Sequence, residues 1–294
     1  MLSSLIHLRI PFSYFLLPVF LFSLSFTPNL NQSRLIWVAV IIHLFLYPAS
    51  NGYNSYFDRD EKSIGGLKNP PPVNKSLYFL ALLFDLAAIV LAYQKVNIWF
   101  AIMVFIYGIV SKAYSHPFIR LKKFPIGGWL VTGFFQGFFM FVACYIGLND
   151  FTIETAIRPA VLVPAMLSSI MLWGSYPITQ VYQHEEDLKR GDITLSLRLG
   201  ITGTFYFAGL LFSLAVLGFC LLFINQFHMG YARRFLIAML PVFLFFTYWF
   251  FQVKKVESNA NFANTMRMNF ISATCLNAFF IYLFLDSTHV LSAR

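Results

Sequence analysis

Charge is scarce in this chain of 294 residues. Asp, Glu, Lys and Arg make up 11 % of it against 59 % hydrophobic residues, and the mean hydropathy is +0.69. A soluble domain carries roughly a quarter charged residues, so this composition calls for an integral membrane protein. Cysteine is rare too: Cys144, Cys220 and Cys275 each lie alone in an apolar run, too isolated for a metal pattern. The six histidines (His7, His43, His116, His184, His228 and His289) include no pair at i, i+3 or i, i+4. That spacing is what a histidine-based metal hydrolase or di-iron oxygenase needs. No small-residue cleavage pattern follows the first apolar stretch, and many similar stretches succeed it, so it does not read as a signal peptide. The net charge of +9 leaves no soluble domain over to bind nucleic acid; it reads as loops facing anionic lipid head groups.

What the chain has in abundance is apolar length. About nine segments, near 11–28, 35–57, 76–94, 97–114, 126–147, 159–182, 202–224, 232–252 and 267–287, are long enough to cross roughly 30 Å of hydrocarbon as helices. The expected fold is all-α: a polytopic bundle around a central cavity, forming one membrane-embedded domain over 1–294. Pro48, Pro177 and Pro241 fall inside the second, sixth and eighth segments, where each removes a backbone donor and predicts a kink. With nine spans, one set of loops holds fifteen basic residues, among them Arg9, Arg59, Lys112, Arg120, Arg190 and Arg267. The other holds six: Arg34, Lys95, Arg158, Arg233, Arg234 and Arg294. The positive-inside rule then places the N-terminus and the longer loops in the cytoplasm, as for a multi-pass protein of the inner (cytoplasmic) membrane.

Two stretches read as copies of one another. Tyr47-Pro48-Ala49-Ser50-Asn51-Gly52-Tyr53-Asn54-Ser55-Tyr56-Phe57-Asp58 is matched by Tyr176-Pro177-Ile178-Thr179-Gln180-Val181-Tyr182-Gln183-His184-Glu185-Glu186-Asp187. The spacing i, i+4, i+7, i+11 predicts that Tyr47, Asn51, Asn54 and Asp58 share one helical face, and likewise Tyr176, Gln180, Gln183 and Asp187. Amides and a carboxylate on a membrane helix are costly without partners and point to a functional site. Both stripes end on the predicted cytoplasmic side, and the helices near 35–57 and 159–182 run the same way. This predicts a parallel internal repeat with Asp58 facing Asp187 across its axis.

Basic residues and glycines follow each acid: Arg59, Lys62, Gly65, Gly66 and Lys68 after Asp58, then Lys189, Arg190 and Gly191 after Asp187. Carboxylate and amide oxygens can hold Mg²⁺ while it bridges to phosphate oxygens. Lys and Arg offset the remaining phosphate charge, and glycine lets the backbone approach. A third segment, Tyr114-Ser115-His116-Pro117-Phe118-Ile119-Arg120-Leu121-Lys122-Lys123, adds Tyr114, Lys122 and Lys123. Elsewhere, His184 reads as a polar loop residue, Asp85 as capping a local hydrogen bond or lining the cavity, and Arg233-Arg234 as a snorkelling interface pair.

Together Asn54-x-x-x-Asp58, the Tyr-Ser-x-Pro-x-x-x-Leu-Lys segment at 114–122 and Asp187-x-x-x-Gly191-x-x-Thr194-Leu195 resemble the UbiA-type intramembrane prenyltransferases. The resemblance implies nine transmembrane helices, with acidic motifs on the second and sixth that bind Mg²⁺ and an isoprenyl diphosphate. It also implies transfer of the isoprenyl group to a ring or other electron-rich small-molecule acceptor in the lipid membrane, as in lipid-quinone or related prenyl-lipid biosynthesis. The family usually reads Asn-x-x-x-Asp-x-x-x-Asp and Asp-x-x-x-Asp; here the last acid of the first motif is Lys62 and the first acid of the second is Gln183. On this resemblance Asp58 and Asp187 are the catalytic metal ligands, with Asn54, Glu61 and Glu186 as further oxygens. Asp60, Glu61, Glu185 and Glu186 can each compensate for the missing acids; Glu61 is preferred for its i+3 relation to Asp58 and Glu186 for its i+3 relation to Gln183. Asn51, Lys62, Lys68, Tyr114, Lys122, Lys123, Gln180, Gln183 and Lys189 are the expected substrate contacts. The alternative is a prenyl-lipid or quinone-binding scaffold or carrier of the same fold with a degenerate metal site.

Overall fold

The computed structural model describes residues 2–288; His289 and Arg294, used above, lie outside the described residues. Among the described residues, eight helices are long and apolar enough to cross a membrane: Gln32–Asp58, Ser76–Lys95 (α5), Ile98–Ser115 (α6), Pro125–Asn149, Pro159–Ile178 (α10), Leu195–Gln226 (α12), Met229–Lys255 (α13) and Phe262–Ser287 (α14). A ninth crossing is possible as a bent pair, Leu2–Phe15 with Leu17–Leu24, at 45° to one another. In that pair α1 (Leu2–His7) leads through a 3₁₀ turn (Ile10–Phe15) to α2 (Leu17–Leu24). The 45° break falls at Leu16, and within the first member Arg9, with φ 49°, separates α1 from the 3₁₀ turn because it cannot continue a right-handed helix. Among the described residues there is one isolated β-bridge, Ile64 with Leu67, and no strand.

Two spans are interrupted by single π-helical turns. Gln32–Asp58 comprises α3 (Gln32–Val40), a π turn (Ile41–Leu46) and α4 (Tyr47–Asp58), with Pro48 in the first turn after the π segment. Proline cannot donate a backbone bond, and widening the preceding turn accommodates the lost donor. Pro125–Asn149 comprises α7 (Pro125–Gly133), a π turn (Phe134–Phe139) and α8 (Met140–Asn149). Here a neighbouring side chain enters the ladder: Ser169 Oγ donates to the Gly133 carbonyl at 2.8 Å and accepts from the Phe138 amide at 2.8 Å. Only glycine fits at position 137, because a Cβ there would fall 2.6 Å from the Ser169 Cα. Pro177 sits in the last turn of α10, and the Trp173 carbonyl four residues earlier instead accepts from Trp129 Nε1 at 2.8 Å. Pro241 lies within the continuous α13.

Buried side chains fill the centre of the bundle, and large apolar residues face outward, including Phe79, Leu210, Ile237 and Phe243. That distribution suits a lipid solvent, in which an outward leucine or phenylalanine costs nothing. Asp85 does not line the cavity. It is buried between α5 and α6 in an ion pair with Lys112, whose ammonium also lies 5.1 Å from the centre of the Tyr53 ring. A charge at that depth demands a partner, and Lys112 supplies it by reaching along its own helix.

Candidate active site

The first wall is α4. Asn51, Asn54 and Asp58 of its predicted polar face line one cavity, whereas Tyr47, the fourth member, is buried in the apolar core and does not reach it. Asn54 Oδ1 accepts from Ser115 Oγ at 2.7 Å, fixing α4 against α6. The helix stops at Asp58 because Arg59 takes a left-handed conformation, φ 49°. This stop corrects an expectation: no helical turn continues to Glu61 or Lys62, so neither shares a face with Asp58. Both are exposed, and Lys62 Nζ pairs with Glu185 at 2.5 Å outside the cavity. The reversal at Arg59 brings back Asp60 instead, which lines the cavity.

The second wall departs from a single helical stripe. α10 ends at Ile178, residues 179–183 form turns, and a short helix α11 (His184–Arg190) follows. Gln180, Gln183 and Asp187 still line the cavity, but from a turn, a helix cap and a second helix. α11 closes with Gly191 at φ +72°. The Asp192 amide bonds to the Asp187 carbonyl at 2.9 Å and the Gly191 amide to the Leu188 carbonyl at 3.1 Å. These paired bonds define a Schellman cap, which needs the left-handed glycine. Folding the chain back this way sets Asp192 beside Asp187 with Arg190 between them. His184 opens α11 and shares a 2.8 Å hydrogen bond with Ser196 Oγ.

Four carboxylates and three cations then interlock. Lys122 contacts Asp58 and lies 3.8 Å from Asp192. Arg120 binds Asp192 through Nε at 2.7 Å and approaches Asp58 at 3.7 Å. Arg190 contacts Asp60, bonds Asp187 at 2.8 Å and reaches Asp192 at 3.5 Å. Burial pushes the Asp187 carboxyl up to about 6 against the opposing pull of Arg190. Asp60 is raised by burial first and by neighbouring Asp58 next. Burial alone would lower the Arg190 guanidinium, yet Asp60, Asp58 and Asp187 together raise it above the ordinary arginine value. The hydrogen bond to Asp192 raises Arg120. The four carboxyl groups outnumber the three basic side chains by one.

Beyond the charges lies a polar belt. Tyr114 and Tyr176 are hydrogen-bonded hydroxyl to hydroxyl, and Gln180 Nε2 donates to Tyr176 Oη at 3.1 Å. Gln180 Oε1 is buried with no hydrogen-bond partner. The cavity, about 900 Å³, continues from this belt between α12, α13 and α14 to Phe22, Phe219 and Phe280. Met266 and Phe280 both line it, and their separation along α14 corresponds to about 21 Å of helix. At the charged end Arg9 forms part of the wall, donating to the carbonyls of Gly65 at 3.0 Å and Asn51 at 3.3 Å. It ties the loop after Asp58 over the opening.

Of the residues expected at the site, Asn51, Asn54, Asp58, Tyr114, Lys122, Gln180, Gln183 and Asp187 are brought together in the lining. Glu61, Lys62, Lys68, Lys123, Glu186 and Lys189 are not part of it. Glu186 and Lys189 pair with each other at 3.5 Å, and Lys189 also with Glu185 at 3.2 Å. Lys123 is exposed with its ammonium over Phe124. Arg9, Arg120 and Asp192 join the site without a counterpart among the expected contacts, whereas Asp60 is one of the acids open as a replacement and Arg190 one of the basic residues that follow Asp187. The available signal was position: Asp60 lies two residues after Asp58, and Arg190 lies three after Asp187.

Among the described residues no three His, Cys, Asp or Glu side chains gather into a ready-made metal cluster. The cavity offers only oxygen donors: the Asp58 and Asp187 carboxylates, the Asn54 amide and the orphaned Gln180 Oε1. Hard oxygens suit Mg²⁺, which is commonly held by one or two carboxylates together with substrate phosphates. The donor set fits that ion in kind.

The architecture has solved counterparts. A UbiA homologue from Archaeoglobus fulgidus bound to GPP and Mg²⁺ is 16 % identical, with a TM-score of 0.66 over 96 % of this chain and 99 % of that one. The DMAPP- and Mg²⁺-bound form of a UbiA homologue from the same organism is 15 % identical, with a TM-score of 0.66 over the same shares. A structure of digeranylgeranylglyceryl phosphate synthase is 19 % identical, with a TM-score of 0.60 over 97 % and 98 % of the two chains. Identities this low establish the shared fold alone. No curated protein sequence matches. The model of the UbiA prenyltransferase family matches residues 15–271, and with that match spanning most of its length, this chain belongs to the UbiA prenyltransferase family.

Proposed function

We propose that this protein transfers an isoprenyl group from an isoprenyl diphosphate to an electron-rich acceptor within the membrane, with the charged end of the cavity facing the cytoplasm. The observation that carries the reading is one continuous cavity with interlocked carboxylates and cations at its head and phenylalanines at its foot. A diphosphate ester of an apolar chain has the same two-part chemistry.

Asn54 and Asp58 on one wall and Asp187 on the other would hold Mg²⁺ with the diphosphate. Bound there, the ion supplies Lewis-acid stabilisation of charge building on the departing diphosphate. Lys122 and Arg190, already oriented by their carboxylate partners, direct N–H groups at the same oxygens without reorganising during the reaction, while Arg120 holds Asp192 behind them. Arg9 and the loop it fastens cover the headgroup and limit water. The aromatic walls further in accept the chain and offer ring faces to positive charge at its first carbon. Tyr114, Tyr176 and Gln180 stand where the acceptor's polar group would be held.

The test is label transfer in membranes carrying the protein. Isotope-labelled isoprenyl diphosphates of several lengths are expected to yield a new labelled lipid with at least one length. The new lipid should be absent with Asp58→Ala and Asp187→Ala. Label that stays in the diphosphate at every length, with wild-type protein folded and present, favours the scaffold or carrier.

A further inference from the structure

We infer that Arg190 is a resident cation standing where a second divalent ion would otherwise sit, so that this chain takes one metal ion per diphosphate. This rests on the function proposed above. Three observations converge on it. First, the guanidinium joins three carboxylates from two segments: Asp60 after the first wall, and Asp187 and Asp192 from the second. A divalent ion bridging acids from two walls would do the same work. Second, Lys62 and Gln183 hold the two motif positions where the family usually has acids, so the sequence offers two fewer carboxylates than the paired motifs normally supply. Lys62 does not refill the place; it leaves for Glu185 on the surface. Third, the two acids added to the cavity, Asp60 and Asp192, are both in contact with guanidinium groups rather than free.

The division of labour follows. Asn54 and Asp58 make no direct contact with Arg190, and their partners, Ser115, Lys122 and Arg120, can yield to phosphate and ion; Asp187 gives Arg190 its Oδ1, which leaves Oδ2 for the same ion. On the Asp60–Asp187 side, the Schellman cap at Gly191 fixes the Arg190 backbone, and planar N–H donors occupy both carboxylates at once. A guanidinium does not dissociate, so one positive charge stays on this side of the headgroup at any Mg²⁺ concentration.

Counting bound ions tests this directly. Purified full-length protein is titrated with Mn²⁺ in the presence of a geranyl thiolodiphosphate that cannot ionise, and free Mn²⁺ is read by electron paramagnetic resonance. The expected stoichiometry is one Mn²⁺ per chain in the wild type, one in Arg190→Lys and two in Arg190→Gln, where Asp60 and Asp187 are released. Without any divalent ion, Arg190→Gln is also expected to bind the diphosphate about tenfold more weakly, the loss of a charge-assisted hydrogen bond. Two Mn²⁺ per chain in the wild type overturns the inference while leaving the proposed function intact. A folded Arg190→Gln that still takes one ion overturns it as well. Wild-type protein that binds neither Mn²⁺ nor the diphosphate overturns both readings. Should Arg190→Gln fail to fold, the wild-type and Arg190→Lys counts decide.

Discussion

The two walls of the cavity hold equivalent polar groups by different means. In the first, one helix carries Asn51, Asn54 and Asp58 on a face, and backbone geometry alone aims them inward. In the second, the helix has already ended at Ile178, and Gln180, Gln183 and Asp187 arrive from a turn and a short capped helix. There, position is set by a left-handed glycine and by a guanidinium that ties three carboxylates. The difference teaches that a polar stripe can be kept in place either by helix continuity or by local caps and ion pairs. The second route is more easily disrupted, since a single cap or cation carries several groups.

Removing the acid from either wall is expected to have the largest effect. Asp58→Ala and Asp187→Ala should each lower isoprenyl transfer by roughly 10²–10³-fold, as loss of one preorganised charge-stabilising group does, measured as labelled product per folded protein. If one of them retained wild-type turnover, the two walls would not share a headgroup. Next come the lysines, one inside and one out. Lys122→Ala, which strips Asp58 of its buried partner, should weaken isoprenyl diphosphate binding by about tenfold. Lys62→Ala should leave both the binding isotherm and the melting temperature unchanged. Equal losses in the two variants would contradict the placement of Lys62 outside the cavity.

Smaller effects should separate the caps. Gly191→Ala forces a side chain into the left-handed region at about 1–2 kcal/mol, and because that cap positions Asp187, Arg190 and Asp192, diphosphate affinity should fall with the melting temperature. Arg59→Gly relieves the same kind of strain at the end of the first wall, φ 49°. It should raise the melting temperature slightly with affinity unchanged. If both variants altered affinity alike, the first wall would depend on its cap as the second does.

The smallest expected effect is on pH. The Asp187 carboxyl, near 6 in the folded chain against 3.8 ordinarily, takes up its proton more readily folded than unfolded. Stability of the ligand-free protein should therefore rise as pH falls from 7 towards 5 and flatten near the ordinary value. Binding that needs the ionised carboxylate should weaken over the same interval. In Asp187→Asn the melting temperature should lose that part of its pH dependence; an unchanged profile would assign it to another group, with Asp60 next in line.

The bundle was readable from apolar run length, because lipid forces every spanning backbone to close its own hydrogen bonds. Most of the first stripe was readable as well, since helical period and structure agree from Asn51 to Asp58, with Tyr47 turned into the core instead. Its end was not. Nothing in Asp58-Arg59-Asp60 announces a left-handed arginine, so Glu61 and Lys62 were expected on a face that does not exist. The second stripe matched the first by spacing, yet Pro177 marks where α10 gives way to turns. Charges near membrane surfaces carry two meanings, topology and chemistry, and spacing cannot separate them. Arg120 and Arg190 satisfy the count of loop cations as well as a phosphate site would, and only tertiary structure sets them against Asp58, Asp60, Asp187 and Asp192.

One measurement bears most directly on the claim that both walls grip a single headgroup: the thermal stability of purified protein with Mg²⁺ and an isoprenyl diphosphate. The wild type should melt markedly higher with both ligands than with Mg²⁺ alone, and Asp58→Ala and Asp187→Ala should each abolish the increment. A wild type indifferent to every isoprenyl diphosphate, or an increment surviving in either variant, would contradict the shared site.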